Sequence, residues 1–330
     1  MNSTIRNAAA VVAISGLAAL VAASSAGAQT YDLRVSTVIS EEDPLFEGYQ
    51  RFADAVEERT DGDMKVDVFP NAQLGQDEDL MEQALLGANV AFNTDAGRLG
   101  QRVPEFGIVL APYVFDSPQQ APKLYESDLY KGWLKQLEDE HGLVVLALNY
   151  YVGARNFMTK TPIESPADLN GLKIRTPGAP VWQETIRALG ATPVALPWIE
   201  TYPAIQQGVV DGAEAQATGA YASKLHEVAP IVTKTGHILL MNGPVVGAAW
   251  FGTLPEEYQT ILREEAAKAG VWTTEQVVAL EGDFQQKMID EGATINDVDV
   301  APFREAAQSA YGVLGLEDTK AKVDEILAAQ

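Results

Sequence analysis

Two arginines in apolar, aromatic surroundings are the residues of this chain best suited to chemistry, because the sequence around them is acidic, with 46 Asp and Glu against 23 Lys and Arg. Arg175 closes the run Leu172-Lys173-Ile174-Arg175, whose alternation is that of a short strand with apolar side chains on one face and cations on the other. Thr176, Pro177 and Gly178 follow, and then a helical run over 180–189 with Pro180 in its first turn and Gly190 as its stop. A cation at the carboxyl end of a strand, just ahead of a helix amino terminus, stands where open α/β sheets bind ligands, and the helix N–H groups there favour an anion. Arg155 is a second cation beyond an apolar strand, preceded by Tyr150 and Tyr151. Trp182 follows Arg175, and Trp198 and Tyr202 flank a turn at Pro197. Arginine suits planar, bidentate capture of a carboxylate, and aromatic rings shield such a pair from water. The plain alternatives are an Arg175 that only solvates a strand end, and a Trp198 and Tyr202 that only pack at a helix start. Pattern alone leaves both open.

The elements that must position these side chains alternate from Tyr31 onward. Strands are expected over 33–38, 64–69 and 89–94, with helices over 44–59 and 77–86 between them. Phe46, Tyr49, Phe52, Ala53 and Val56 recur at spacings of three and four, while Asp77, Glu78, Asp79 and Glu82 read as an acidic helix start. That order implies right-handed crossovers and a parallel core sheet. Residues 106–115 read as a buried strand running into a loop, 124–140 as a helix and 143–148 as another buried strand. Residues 213–228 read as helix, and 236–250 as one or two strands returning to the first lobe. A very long helical pattern covers 255–292, with Gly270 as the expected position of a kink, and a terminal helix covers 320–328. The expected class is therefore α/β in two lobes around a central ligand cleft. Residues 29–151 plus about 241–283 form the first lobe, 152–240 plus about 284–330 the second, and hinge strands cross between them.

The first 28 residues differ from the rest. Arg6 is their only charged side chain, an apolar run covers 8–23, and Ala26-Gly27-Ala28 has the small-x-small form that signal peptidase accepts. A secretory signal cleaved before Gln29 is expected, because the run is short for a bilayer span and rich in Ala and Gly. Losing Arg6 with it takes the formal charge from −23 to −24, which argues against nucleic acid or an anionic membrane as a partner. With no cysteine, the exported chain uses neither disulfides nor thiol chemistry. His141, His226 and His237 are far apart and lack zinc-ligand spacing. There is no G-x-S-x-G elbow, no G-x-G-x-x-G and no phosphate-binding G-x-x-x-x-G-K loop. Asp61-Gly62-Asp63 and residues 296–299 lack the rest of a calcium loop. No catalytic residue, metal or cofactor is expected.

Three stretches, 69–87 (FPNAQLGQDEDLMEQALLG), 103–115 (VPEFGIVLAPYVF) and 171–212, occur in the order and spacing of the extracytoplasmic solute-binding proteins of TRAP transporters, the DctP-like group. Essentially the whole mature chain resembles that family. The resemblance implies a two-lobed periplasmic binding protein fold and a monomeric receptor in the periplasm. It implies closure on a small organic acid and delivery to a TRAP membrane permease. Carried over by position, Arg175 in LKIRTP forms the salt bridge with the ligand carboxylate, and Arg155 in GARNFMT assists it. Trp198 packs on the ligand, Asp95 and Asp77 are polar positions facing it, and Arg98 lies near its carboxylate. Two departures matter. Ala215 stands where the family's V-D-G-Q-E-N carries a ligand-touching Asn, leaving Gln216 as the candidate replacement, and Val38 stands where sialic acid binders have an amide. Both count against sialic acid and leave the ligand open, while the retained Asp77 and Asp95 suit a hydroxylated acid such as a uronate, aldonate or other sugar acid. The alternatives are a dicarboxylate or keto acid in the same role, a periplasmic enzyme acting on an organic acid, or an ABC-type binding protein.

Overall fold

The computed structural model describes residues 31–329; the expected signal segment, residues 1–28, lies outside them. In chain order the strands are β1 (Tyr31–Ser36), β2 (Met64–Phe69), β3 (Val90–Asp95), β4 (Leu143–Val145), β5 (Tyr150–Thr159), β6 (Lys173–Thr176), β7 (Thr192–Ala195), β8 (Gly212–Ala215), β9 (Ile231–Gly247) and β10 (Thr294–Asp297). They join in one sheet of order β2-β1-β3-β9-β5-β8-β6-β7, with β4 and β10 also on β9. β1 runs parallel to β2 and β3, and β6 parallel to β7 and β8, so each end of the sheet is a parallel α/β unit. Between them, β5 and β9 pair antiparallel over most of their lengths. The carboxyl half of β9 also pairs with β3, and its amino end with β10. These two strands run through both lobes and are the crossing strands of a two-lobed fold.

The first lobe is built as its periodicity requires. Helix Pro44–Arg59 turns Leu45, Tyr49, Phe52 and Val56 inward, where they meet Leu33, Val35, Val90 and Phe92 of β1 and β3 in one hydrophobic core. Asp43 caps this helix: its Oδ1 accepts the Leu45 N–H at 2.9 Å, while Oδ2 is buried with no hydrogen-bond partner. Burial pushes the Asp43 carboxyl up from 3.8 to about 6, against the pull of the Leu45 N–H. Because the folded-state value is the higher one, the native state holds a proton that the unfolded chain has lost. This contribution to stability is complete below about 4 and gone once the pH passes about 6. Asp43→Asn keeps a good N-cap without the charge, so it should be more stable than the wild type at pH 7.5 by about 1–3 kcal/mol. The gain should shrink to nothing near pH 4, and thermal melts at the two pH values measure it.

Four segments depart from the sequence reading. Residues 104–110 form a 3-10 helix rather than a strand: Pro104 opens it, and a short apolar run carries no period to separate the two. The helix expected over 124–140 is broken at Ser127, whose Oγ caps helix Asp128–His141 by accepting the Tyr130 N–H at 3.2 Å. Residues 212–215 are the fully buried strand β8, because pairing to β5 and β6 overrides the helix propensity of its alanines; short helices follow at Ala217–Ala222 and Leu225–Val228. Helix Glu256–Asp290 passes Gly270 without a break. Gly270 instead lets Asn149 and Tyr150 press close to the helix, where Asn149 Nδ2 donates to Ala267 O at 2.9 Å and Thr274 Oγ1 donates to Asn149 O at 2.9 Å. The start of β5 is thereby pinned to this helix.

The tail contributes side chains to two of the hydrophobic cores. Helix Ala301–Leu314 places Phe303 and Ala307 in a second-lobe core with Ile174, Ile186 and Leu189. Its end and the last helix, Glu317–Ala328, contribute Tyr311, Leu316 and Val323 to the first-lobe core instead. Lys123 Nζ holds that end by donating to Leu327 O and Ala329 O at 3.1 and 2.9 Å. Among the described residues no helix is long and apolar enough to cross a membrane.

Candidate functional site

The carboxyl ends of β3, β6 and β8 meet the middles of β5 and β9 around a cleft. Arg175, Arg155, Asp95, Trp198, Asp77, Arg98 and Gln216 all line it. So do Trp182, which the sequence grouped with the aromatics around Arg175, and Asn93, Leu240 and Asn242, which it did not place at the site. Tyr202 does not line it; its hydroxyl donates to Glu227 Oε2 at 2.9 Å outside the cleft.

The three cleft arginines are in different electrostatic states. Arg155 is compensated: its Nε pairs with Glu214 Oε2, its Nη2 donates to the Glu214 carbonyl, and its Nη1 donates to Gln216 Oε1, all in buried surroundings. Thr176 Oγ1 donates to the other Glu214 oxygen at 3.0 Å. Gln216 can come this close because Gly153, at φ +123°, lies against it; a Cβ there would sit 2.8 Å from Gln216 Cβ. The ladder of β5 is also bulged on both sides of Arg155, the kind of irregularity that re-aims a side chain at a site. Arg98 is compensated as well: Nη2 pairs with Asp77 Oδ2 at 2.8 Å, Nη1 with Asp95 Oδ2, and Nε with Glu78 Oε1 at 3.3 Å. Burial alone would lower its guanidinium, but these carboxylates outweigh that and hold it above its ordinary range.

Arg175 is the exception. It is 1% exposed, yet its Nε and Nη2 donate only to the backbone carbonyl of Leu196, at 2.9 and 2.7 Å. Among the described residues no carboxylate forms a salt bridge with it. Burial, with Arg155 and Arg98 adding repulsion against the pull of Glu214, pushes it down to about 9. It remains a cation at neutral pH, lodged in a cleft without a counter-ion. Trp198 lies over it, 5.3 Å from guanidinium carbon to ring centre, and donates its Nε1–H to Ser223 Oγ at 3.1 Å.

The opposite wall is polar and acidic. Asp77 Oδ1 is buried with no hydrogen-bond partner, and burial pushes that carboxyl up to about 6 despite Arg98. Asn93 Oδ1 accepts the Tyr49 hydroxyl at 2.7 Å, which fixes the amide and leaves Nδ2 as its unused donor. Asn242 Oδ1 is likewise buried and unpartnered. Asp95 is engaged by Arg98, through its backbone N–H and its guanidinium, and by Trp182 Nε1–H at 3.1 Å. Asn93 and Asp95 are two apart on β3, and Asn242 stands opposite Asp95 across the β3–β9 pairing, but nothing in the local sequence separates the two asparagines from turn asparagines.

A two-lobed α/β chain whose crossing strands frame a cleft with one uncompensated arginine belongs to the class of solute-binding proteins. The family profile described as bacterial extracellular solute-binding protein, family 7, matches residues 35–315, and the chain belongs to that family, the DctP family of TRAP solute-binding proteins. It is 29% identical over 259 residues to the sialic acid-binding periplasmic protein SiaP of Vibrio cholerae, covering 78% of this chain and 80% of SiaP. A TRAP periplasmic solute-binding protein of Escherichia fergusonii, solved in an apo open form, is 41% identical over 90% of this chain and all of its own, with a TM-score of 0.79. One from Ochrobacterium anthropi with bound L-fuconate is 32% identical over 90% of this chain and 99% of its own, with a TM-score of 0.87.

Proposed function

We propose that this chain is a periplasmic receptor that binds a sugar acid by its carboxylate and hands it to a TRAP membrane permease, without chemical change of the ligand. The observation that carries this reading is Arg175, buried without a counter-ion beside Trp198. A ligand carboxylate supplies the missing charge and accepts bidentate hydrogen bonds in a place water reaches poorly. The far wall favours hydroxyls over a second carboxylate: Asp77 Oδ1 and Asn242 Oδ1 are acceptors without donors, while Arg98, the cation there, is already held by Asp77, Asp95 and Glu78. A dicarboxylate would bring its second charge against those acids. The L-fuconate carried by the Ochrobacterium relative has the same combination of one carboxylate and several hydroxyls. Arg155 and Gln216 act in this reading as a braced floor beside Arg175.

A thermal-shift panel of the mature protein against uronates, aldonates, dicarboxylates and keto acids tests it. A ligand of the native state raises stability by about 2.7 kcal/mol at a hundredfold excess over Kd. Uronates or aldonates should give the largest shifts. A response confined to dicarboxylates would overturn the sugar-acid assignment, and a response only to neutral or cationic solutes would overturn carboxylate capture by Arg175.

A further inference from the structure

Asp95 is already engaged by three hydrogen bonds within the protein. Its Oδ1 accepts the Arg98 backbone N–H at 3.0 Å and the Trp182 indole N–H at 3.1 Å, and its Oδ2 pairs with the Arg98 guanidinium. Two of these donors belong to its own lobe, but the indole comes from the other. Trp182 lies on helix Pro180–Ala188, which follows β6 and packs Ile186 into the second-lobe core. The first turn of that helix does the opposite: Ala179, Val181 and Trp182, each 1–3% exposed, join the hydrophobic core of the first lobe. Facing them is Gly97, in the short turn of helix after β3. A Cβ on Gly97 would lie 2.6 Å from Val181 Cγ1, 2.9 Å from Asp95 Oδ1 and 3.0 Å from Trp182 Nε1. The seam between lobes is therefore closed to within less than a methyl group at this point.

We propose that Asp95, Gly97 and Trp182 form a latch that sets how stable the closed form is, and that Asp95 is a closure residue rather than a ligand contact. The proposal rests on the receptor reading above, in which a ligand is held by closure. The bond from Trp182 to Asp95 and the seating of Val181 and Trp182 exist only when the lobes meet, so they act on the closed form alone. Apparent affinity is the closed form's own affinity scaled by its population. Weakening the latch lowers affinity for every acid by one factor and leaves their ranking unchanged, whereas removing a ligand contact reorders them. Trp182 also lies over Arg155 at 5.1 Å, so the same closure seats the ring that covers the braced arginine.

The test uses the mature chain, with L-fuconate, D-glucuronate and succinate as calorimetric probes. Gly97→Ala introduces a better helix former, so the variant should fold and melt like the wild type. It should bind every acid the wild type binds about 10- to 100-fold more weakly, because two of the three atoms that the added methyl crowds, Val181 Cγ1 and Trp182 Nε1, come from the other lobe and are met on closure. Trp182→Phe keeps a ring in the core but loses the indole donor, and should weaken all of them by a common factor of about 2 to 10. Wild-type affinity in Gly97→Ala, or loss confined to one acid, overturns the latch. Closure itself is read without ligand from the distance between two spin labels, on cysteines introduced one per lobe in this cysteine-free chain. A closed share lower in Gly97→Ala than in the wild type supports the latch, and a share the alanine does not lower overturns it. If the wild type binds none of the three acids, the sugar-acid reading fails while the distance measurement still decides the latch.

Discussion

Replacing Arg175 with alanine should weaken binding of the cognate acid by at least two orders of magnitude while leaving the ligand-free protein's melting temperature within a few degrees of wild type. The first half follows from the cost of a buried carboxylate that has lost its partner, about 3–5 kcal/mol, since each 1.4 kcal/mol is tenfold in Kd. The neighbours cannot step in. Arg155 already donates from Nε, Nη1 and Nη2 to Glu214 and Gln216, and Arg98 is shared among three carboxylates. The second half follows from Arg175 being a buried cation without a counter-ion, pushed down to about 9 by that burial. Its truncation relieves a desolvated charge, at the loss of two hydrogen bonds to the Leu196 carbonyl. Arg175→Lys should recover only part of the affinity, because an ammonium cannot reproduce the planar fork. Calorimetry on the three proteins decides it: an alanine variant that binds within about tenfold of wild type would remove Arg175 from the mechanism.

Much of this site was legible because strand ends and polar exceptions are local features. The alternation in Leu172-Lys173-Ile174-Arg175 put the guanidinium on the face away from Ile174, and in the fold that face is the cleft, where Arg175 is buried rather than solvated. The first five elements followed from clean periodicity, as in helix Pro44–Arg59 with its inward Tyr49, Phe52 and Val56. What failed were runs whose state is fixed from outside. The alanines of β8 are helix formers made into a strand by β5 and β6, and the apolar 104–110 stretch has no period to read. The last two helices contribute side chains to two cores, a long-range packing fact with no local trace. The same limit hid the partners of the nominated residues. Asp95, nominated as a polar position facing the ligand, also accepts from Trp182, 87 positions away, a partner with no local trace.

Glu214 is the clearest residue of that hidden kind, and its removal should be the most damaging single change to stability at the site. It is 0% exposed, and its carboxylate binds Arg155 through one oxygen and Thr176 through the other, at 3.0 Å, while its carbonyl accepts from Arg155 as well. Deleting one member of a buried pair strands the other: Arg155, 3% exposed, would be left with Gln216 and a backbone carbonyl for a full positive charge. Glu214→Ala should therefore cost about 3–5 kcal/mol, read as a melting temperature lower by roughly 6–20 °C for a chain of this size. Glu214→Gln keeps an acceptor for Thr176 and should cost less than the alanine variant. Arg155→Met in the Glu214→Ala background should restore part of the lost stability, because it removes the stranded charge and leaves an apolar chain beneath Trp182. If instead the two losses simply add, the pair is not coupled and Arg155 is free to bind the ligand directly. If the double variant recovers stability, Arg155 is braced by Glu214 for structural reasons, and Arg175 is left as the cation that an incoming carboxylate must find.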